Sequence, residues 1–429
     1  MRTILLLFVS AILIPTTLFA EKTSEFQLSN GLKLIVREDH RAPIVLNSIW
    51  YKVGGSYESD GETGISHMLE HMMFKGTKAN GPGVFNKIIG TGGGDNNANT
   101  AEDFTVYFET VSPEKLDTIF RLEADRMQHL LLGNKEFKTE QKVVMEERRM
   151  RVDDNPQSMT YERLRAAAFV NSPYHHPVIG WMTDIEHYTT DDLRRWYQQW
   201  YAPNNAVMIV IGDVNAEQVF TQVKKYFGAI KSSKIPVLKP RHEIQSLGEK
   251  TVAVHLPAQL PWLAMSYQVP ASSYTLLVCE TILSGGSSSR FSNDLIRGNQ
   301  VAVEADAGYS LYHLHNTLFV LSGTPTPKIS ILQLKNAFLD EVHRLQTTLV
   351  SQDELNRVKA QLIAGRTYQN DSLMKQAFDL GEPEMVGLSW KQSEQFAAKI
   401  QLVTPEDIRA AAQKYFTQNN LTVAELVPS

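Results

Sequence analysis

The chain has 429 residues, with 42 Lys and Arg against 47 Asp and Glu for a net charge of −5, too long for one compact core and suited to two or more domains. Apolar residues make up 43% and charged residues 21%, which excludes both a disordered chain and a protein that crosses a membrane many times. The mildly acidic balance provides no positive field for a phosphate backbone, so nucleic acid is excluded as a partner class.

At residues 1–20 a single Arg2 precedes an apolar run from Ile4 to Ile14, then Pro15 and a small residue at Ala20 ahead of Glu21. This is the text of a secretory signal peptide. It is short for spanning a bilayer, and no later run is long and apolar enough to do so. Export to a bacterial-type periplasm is expected, with no stable membrane span once the leader is removed. Leu18 at the −3 position is a mediocre cleavage residue, so a retained anchor is the alternative. The one cysteine, Cys279, excludes both an intramolecular disulfide and a lipid-attachment box at the leader's end. Packing alone must hold the exported protein together.

Strand-like text at 26–38 and 43–55 is followed by helix-like stretches and a further strand at 205–214. Residues 231–248 are rich in Ser, Lys and Pro, the composition of an extended connector. A second pass begins beyond it, with strands at 251–256 and 262–269, helical periodicity over 274–284 and 328–349, and a closing strand at 421–426. Three parts are expected after the leader: a first domain over 21–230, a linker over 231–248 and a second domain over 249–429. The two domains also resemble each other. A shift of 215 residues lays TTDDLRRWYQQWYAPNN (189–205) on TPEDIRAAAQKYFTQNN (404–420) without a gap, in each case a helix passing through a turn into a strand. The fold class is therefore α+β, built as two tandem homologous α/β domains.

The segment GETGISHMLEHMMFKGT (61–77) reads as a helix, because Ile65, Met68, Leu69, Met72 and Met73 fall on one stripe. His67, Glu70 and His71 lie about 200° away, on the face that this stripe leaves free. Two imidazoles one turn apart can direct ring nitrogens at one cation, with a carboxylate between them able to reach a water on it. This is the geometry of a zinc hydrolase, and it calls for a third protein ligand. Candidates lie in the acidic helix at 134–156. Glu140 and Glu147 are seven residues apart and share a face, whereas Glu146 lies about 100° round, where it can pair with Lys142. Spacing alone does not choose among them.

HMLEH, a glutamate 76 residues later within VVMEERRMR, GGGDNNANTAEDFTVYF (92–108) and YHHPVIGW (174–181) together resemble the pitrilysin/insulinase family of inverted-motif zinc peptidases. The similar branch is the short-chain one that includes mitochondrial processing peptidase and bacterial relatives. The resemblance covers nearly all of the chain after the leader and implies that each domain is a mostly antiparallel sheet packed with helices. It implies Zn2+ as the cofactor, His67, His71 and Glu147 as its ligands, and Glu70 as general base on the zinc-bound water. It makes Glu140 an outer carboxylate behind the ligands, and Asn97, Ala98, Asn99 and Thr100 an edge strand that holds an extended peptide by backbone pairing. The implied activity is hydrolysis of peptides or unfolded segments by a zinc endopeptidase.

The sequence departs from the family in its second half. There the family places an Arg and a Tyr seven residues apart to position substrate, but Ile296 and Val303 occupy those places. Arg297 is one residue off and Tyr309 twelve beyond it. The expected partner is thus a related subunit that carries the Arg/Tyr pair, in a heterodimer enclosing a chamber, with a homodimer as the other possibility. A non-catalytic scaffold or assembly subunit of the same fold is the alternative function. A peptide-binding protein with a purely structural zinc, closed by Glu140 as fourth ligand, is a third.

Overall fold

The computed structural model describes residues 22–429, so the leader expected at 1–20 lies outside the described residues. Among the described residues no helix is long and apolar enough to cross a membrane. The strands are β1 (Lys22–Gln27), β2 (Lys33–Glu38), β3 (Val45–Tyr51), β4 (Asp95–Thr100), β5 (Thr105–Val111) and β6 (Ala206–Gly212), then β7 (Lys250–Leu256), β8 (Trp262–Val269), β9 (Ala302–Gly308), β10 (Thr317–Pro325) and β11 (Leu421–Pro428). They form two sheets, in the orders β1-β2-β6-β3-β5-β4 and β7-β11-β8-β10-β9. Each is antiparallel but for one pair, β2 with β6 and β7 with β11.

Without β1, the two orders are the same order. The internal repeat explains why. In both halves a threonine closes a capping box on the helix that leads into the last strand, Thr189 with Asp192 and Thr404 with Asp407. The paired Asn-Asn then earns its place twice over. Asn205 Nδ2 donates to Trp200 O at 2.9 Å and Lys52 O at 3.3 Å, and Asn420 Nδ2 donates to Tyr415 O at 2.9 Å and Gln268 O at 2.6 Å. One side chain in each half thus ties the helix end to the strand next to β6 or β11.

Each central strand is apolar on both faces, as strands covered on both sides must be. In the first sheet, Val45, Ile49, Tyr51 and Met208 join a core with the helices that carry the His-Glu motif. The alternate residues, Leu46, Trp50, Val207 and Ile209, face Ala377, Leu380 and Met385 of the Leu373–Met385 helix. The second sheet is built the same way. Leu263, Met265 and Tyr267 face its own helices, while Trp262, Ala264 and Leu426 face Leu164 of the Pro156–Ala168 helix. A helix from each half therefore covers the outer face of the other half's sheet, and the two exchanged helices occupy matching places in the repeat. The connecting residues 231–248 form neither helix nor strand. Arg241 Nη2 pins them to Ser56 O at 3.0 Å and Glu58 O at 3.2 Å, and Glu243 accepts the backbone N–H groups of Val170, Asn171 and Ser172 at 2.8–3.0 Å.

Candidate metal centre

The motif helix spans Ile65–Met73 and buries Ile65, Met68, Leu69, Met72 and Met73 against the first core, each at most 2% exposed. Burying side chains of this size stabilises by about 1.5–3 kcal/mol apiece, and that anchors the helix while its other face stays free for chemistry. Its start is held by unusual backbone. Gly64 and Gly180 have φ of 86° and 88°, and a Cβ on either would meet Ile179 O at 2.3 Å or Thr63 O at 2.2 Å. The buried Glu58 carboxylate accepts Gly64 N–H at 2.7 Å and Ser66 N–H at 2.9 Å, which satisfies the orphan donors of the first turn. Asp184 in turn accepts the Thr63 hydroxyl at 2.6 Å.

The Asn134–Arg148 helix packs beside the motif helix and passes at Arg149–Asp153 into a wider π-helical turn. It delivers Glu147 to the histidines. Glu147 Oε2 lies 3.3 Å from His71 Nε2 and 3.8 Å from His67 Nε2, and the three donor atoms fall within 4.8 Å of one another. A tetrahedral zinc with ligands at about 2.0–2.1 Å sets its donors roughly 3.3–3.4 Å apart, so two imidazoles and a carboxylate in this arrangement fit that ion. Among the described residues this is the one cluster of three or more such groups able to hold a metal.

The surroundings orient each donor. Glu140 Oε2 lies 3.3 Å from His71 Nδ1, and Lys75 Nζ holds the other Glu140 oxygen at 2.6 Å. Arg151 Nη1 holds Glu147 Oε1 at 3.0 Å and leaves Oε2 to the histidines. His67 Nδ1 is buried without a hydrogen-bond partner among the described residues. Burial, with the neighbouring His71 charge, pushes His67 down to about 4, so it is neutral and ready to ligate at pH 7. Burial also works against protonation of His71, but Glu147, Glu70 and Glu140 outweigh it and the pKa is raised. The hydrogen bond with His71 lowers that of Glu147 against the effect of burial. Glu70 has a raised pKa because burial outweighs the hydrogen bond that its Oε2 accepts from the Thr100 hydroxyl. A carboxylate of raised basicity beside a metal site is suited to taking a proton.

Thr100 belongs to β4, which closes one edge of the first sheet and pairs with β5 on its inner side. Asn97 and Asn99 are exposed, and Ala98 and Thr100 half-buried. All four line a cavity of about 1010 Å³ together with His67, Glu70, His71, Glu140 and Glu147. Glu146 also lines this cavity but does not join the donor triad. It pairs with Arg149 at 3.0 Å, not with Lys142 as the spacing suggests, because both bases neighbour it on the helix surface and the guanidinium reaches it.

Ile296 and Val303 stay in the second half, Ile296 packed against that half's core and Val303 56% exposed on β9. The nearby candidates are engaged locally. Arg297 bonds Ser287 O and Asn293, and the Tyr309 hydroxyl donates to Pro270 O at 2.8 Å while accepting Ser273 N–H at 3.0 Å. Side chains that sequence reasoning passed over are Lys75, Arg151 and the Thr100 hydroxyl. Lys75 follows His71 and Arg151 follows Glu147 by four residues, a helical spacing that is the only trace either leaves in the sequence.

Residues 33–181 match the family model described as insulinase (peptidase family M16), and residues 187–362 the model described as peptidase M16 inactive domain. A relative named zinc protease PqqE, from Helicobacter pylori, is 33% identical over 424 residues, covering 96% of this chain and 94% of its own. The solved structure of a protease from Helicobacter pylori aligns with a TM-score of 0.90 at 30% identity, over 95% of this chain and all of that one. The first half of the periplasmic protease PqqL from Escherichia coli shares the fold, with a TM-score of 0.79 at 19% identity over 95% of this chain and 92% of that one.

Proposed function

The chain belongs to peptidase family M16, the insulinase family, and from that membership and the geometry of its donor triad we propose that it is an exported zinc endopeptidase acting on peptides or unfolded segments. The observation that carries this reading is the convergence of His67 Nε2, His71 Nε2 and Glu147 Oε2 within 4.8 Å, with the half-buried Glu70 on the same helix face. His67, His71 and Glu147 hold Zn2+, which supplies a Lewis acid that acidifies water and draws charge from a carbonyl oxygen. Glu70 takes the proton of the attacking water and hands it to the leaving amine. Thr100, through its hydroxyl, fixes the orientation of the Glu70 carboxylate, and Arg151 and Lys75 do the same for Glu147 and Glu140. The free edge of β4, at Asn97–Thr100 along the cavity wall, holds the peptide as an added strand.

The working enzyme pairs this chain with a second, related subunit that contributes the arginine and tyrosine missing at Ile296 and Val303. The chain covers 48% of the full-length PqqL structure, which supports that arrangement, since that protein has about twice the length in one chain. The leader text at 1–20 and the periplasmic relative support action in the periplasm.

The test is hydrolysis of a mixed set of unstructured peptides by the zinc-loaded chain, alone and with a related subunit bearing the pair, with Glu70→Gln as the blank. Cleavage that needs Glu70 and rises when the subunit is added is expected. Cleavage that survives Glu70→Gln contradicts the role of the base, and silence in both conditions returns the chain to the scaffold reading.

A further inference from the structure

A second cavity, of about 540 Å³, opens directly from the metal cavity and shares Arg151, Val152 and Val178 with it. The apolar part of its wall is Val152, Tyr161, Pro177, Val178, Trp262 and Val320. Two of these, Trp262 on β8 and Val320 on β10, come from the half without metal ligands.

The charged groups around this cavity are already neutralised. Arg165 bonds Glu102 at 2.7 Å, Glu162 bonds Arg148 at 2.9 Å, and Arg151 bonds Glu147 at 3.0 Å. His175 Nδ1 faces Ser172 O at 2.9 Å, and its Nε2 lies 3.3 Å from Asp60. What remains to recognise an occupant is the apolar wall, with Gln157, Ser158 and Ser322 as the uncharged polar side chains beside it. A cavity of this size with few free polar groups is large enough for a bulky side chain. Arg151 stands one helical turn beyond Glu147, roughly 5–6 Å along the axis, which an extended peptide covers in about two residues.

We propose that this cavity is a specificity subsite, which takes a large aliphatic or aromatic side chain of the peptide about two or three residues from the bond cleaved. The proposal rests on the peptidase reading above and deepens it. Its consequence is that the half lacking metal ligands selects what the other half cuts, through Trp262 and Val320, without any contact to the metal.

The test measures binding, so that it does not depend on turnover. Zinc-loaded full-length Glu70→Gln is titrated into fluorescein-labelled Gly/Ser decapeptides, one carrying a single Phe, one a single Asp and one neither, with anisotropy as the readout. The Phe peptide is expected to bind at least tenfold tighter than the other two. Ser322→Phe, added to fill the cavity from β10, erases that difference; Ser158→Trp fills it from the opposite wall and serves if the first variant does not fold. Equal binding of the three peptides, or a preference for Phe that survives the filled cavity, overturns the proposal. Hydrolysis by the wild-type chain paired with a related subunit that bears the arginine and tyrosine, measured alongside, bears on the peptidase reading alone: binding selective for Phe without hydrolysis by that pair sinks that reading and leaves the subsite standing.

Discussion

At the residue scale the site divides work among side chains that the sequence reveals unequally. His67, Glu70 and His71 are legible because one helix sets their spacing and an apolar stripe fixes which way they face. Glu147 is not legible from spacing, since Glu140 shares its face, and only the packing of two helices separates their roles. Glu147 meets both imidazoles, whereas Glu140 lies on the far nitrogen of His71 and is held by Lys75. Glu140→Gln is therefore expected to lower zinc affinity about ten- to a hundredfold, as loss of an outer partner does. Competition with a chromophoric chelator reads this out, and an unchanged affinity removes Glu140 from the metal's support. Glu70→Gln has the opposite profile. It keeps the zinc and lowers kcat by about 10²–10⁴ or more, in a paired measurement of metal content and turnover. The Thr100 hydroxyl bond to Glu70 could not be read from sequence, because it joins a strand and a helix 30 residues apart.

At the element scale, the motif helix depends on how its first turn is seated. The positive φ of Gly64 and Gly180 and the contact of each with the other's loop leave no room for a side chain. Gly180→Ala is expected to destabilise the fold by about 2–4 kcal/mol, from the left-handed backbone and the overlap with Thr63 O. Urea unfolding measures this, and a variant of wild-type stability means that the loop at 177–181 does not clamp the helix. The helix itself and its apolar stripe were readable in the text, although 61–77 overran its limits at Ile65 and Met73. The 274–284 helix and the strands β7, β8 and β11 of the second sheet were readable too, whereas β9 and β10 were not. The exchange of the Pro156–Ala168 and Leu373–Met385 helices was not. Nothing local distinguishes a helix that covers its own sheet from one that covers its neighbour's, since both carry the same 3.6-residue pattern. The departure into a π turn at Arg149–Asp153 is also silent in the sequence, although it sets where Arg151 stands.

At the scale of the whole molecule, the exchanged helices make the halves interdependent. Residues 22–230 expressed alone would expose the face bearing Leu46, Trp50, Val207 and Ile209, and also the apolar side of the Pro156–Ala168 helix. The separate halves are expected to aggregate and to recover a soluble complex when expressed together, with size-exclusion chromatography as the check; a soluble, folded first half by itself contradicts the interlock. The seam between the halves also carries a pH dependence. Burial raises the pKa of Glu102, but Arg165 at 2.7 Å and then His313 more than reverse this and hold it at about 2. A lowered carboxyl pKa contributes stability above its unfolded value near 4.5 and loses it as pH falls toward 2. The stability gap between wild type and Glu102→Gln is therefore expected to be on the order of 2–3 kcal/mol above about pH 5 and to close on acidification. Urea midpoints measured across this range report it, and a gap that widens toward pH 2 contradicts the assignment.

The central claim is that His67, His71 and Glu147 hold the metal while Glu70 stays free to act on water. Anomalous diffraction at the zinc edge, from crystals of the zinc-loaded chain, tests it most directly. One peak is predicted, about 2.0–2.2 Å from His67 Nε2, His71 Nε2 and a Glu147 oxygen, with Glu70 outside the ligand shell. A peak held by Glu70 or by Glu140 in place of Glu147, or one lying away from the motif helix, would contradict the account.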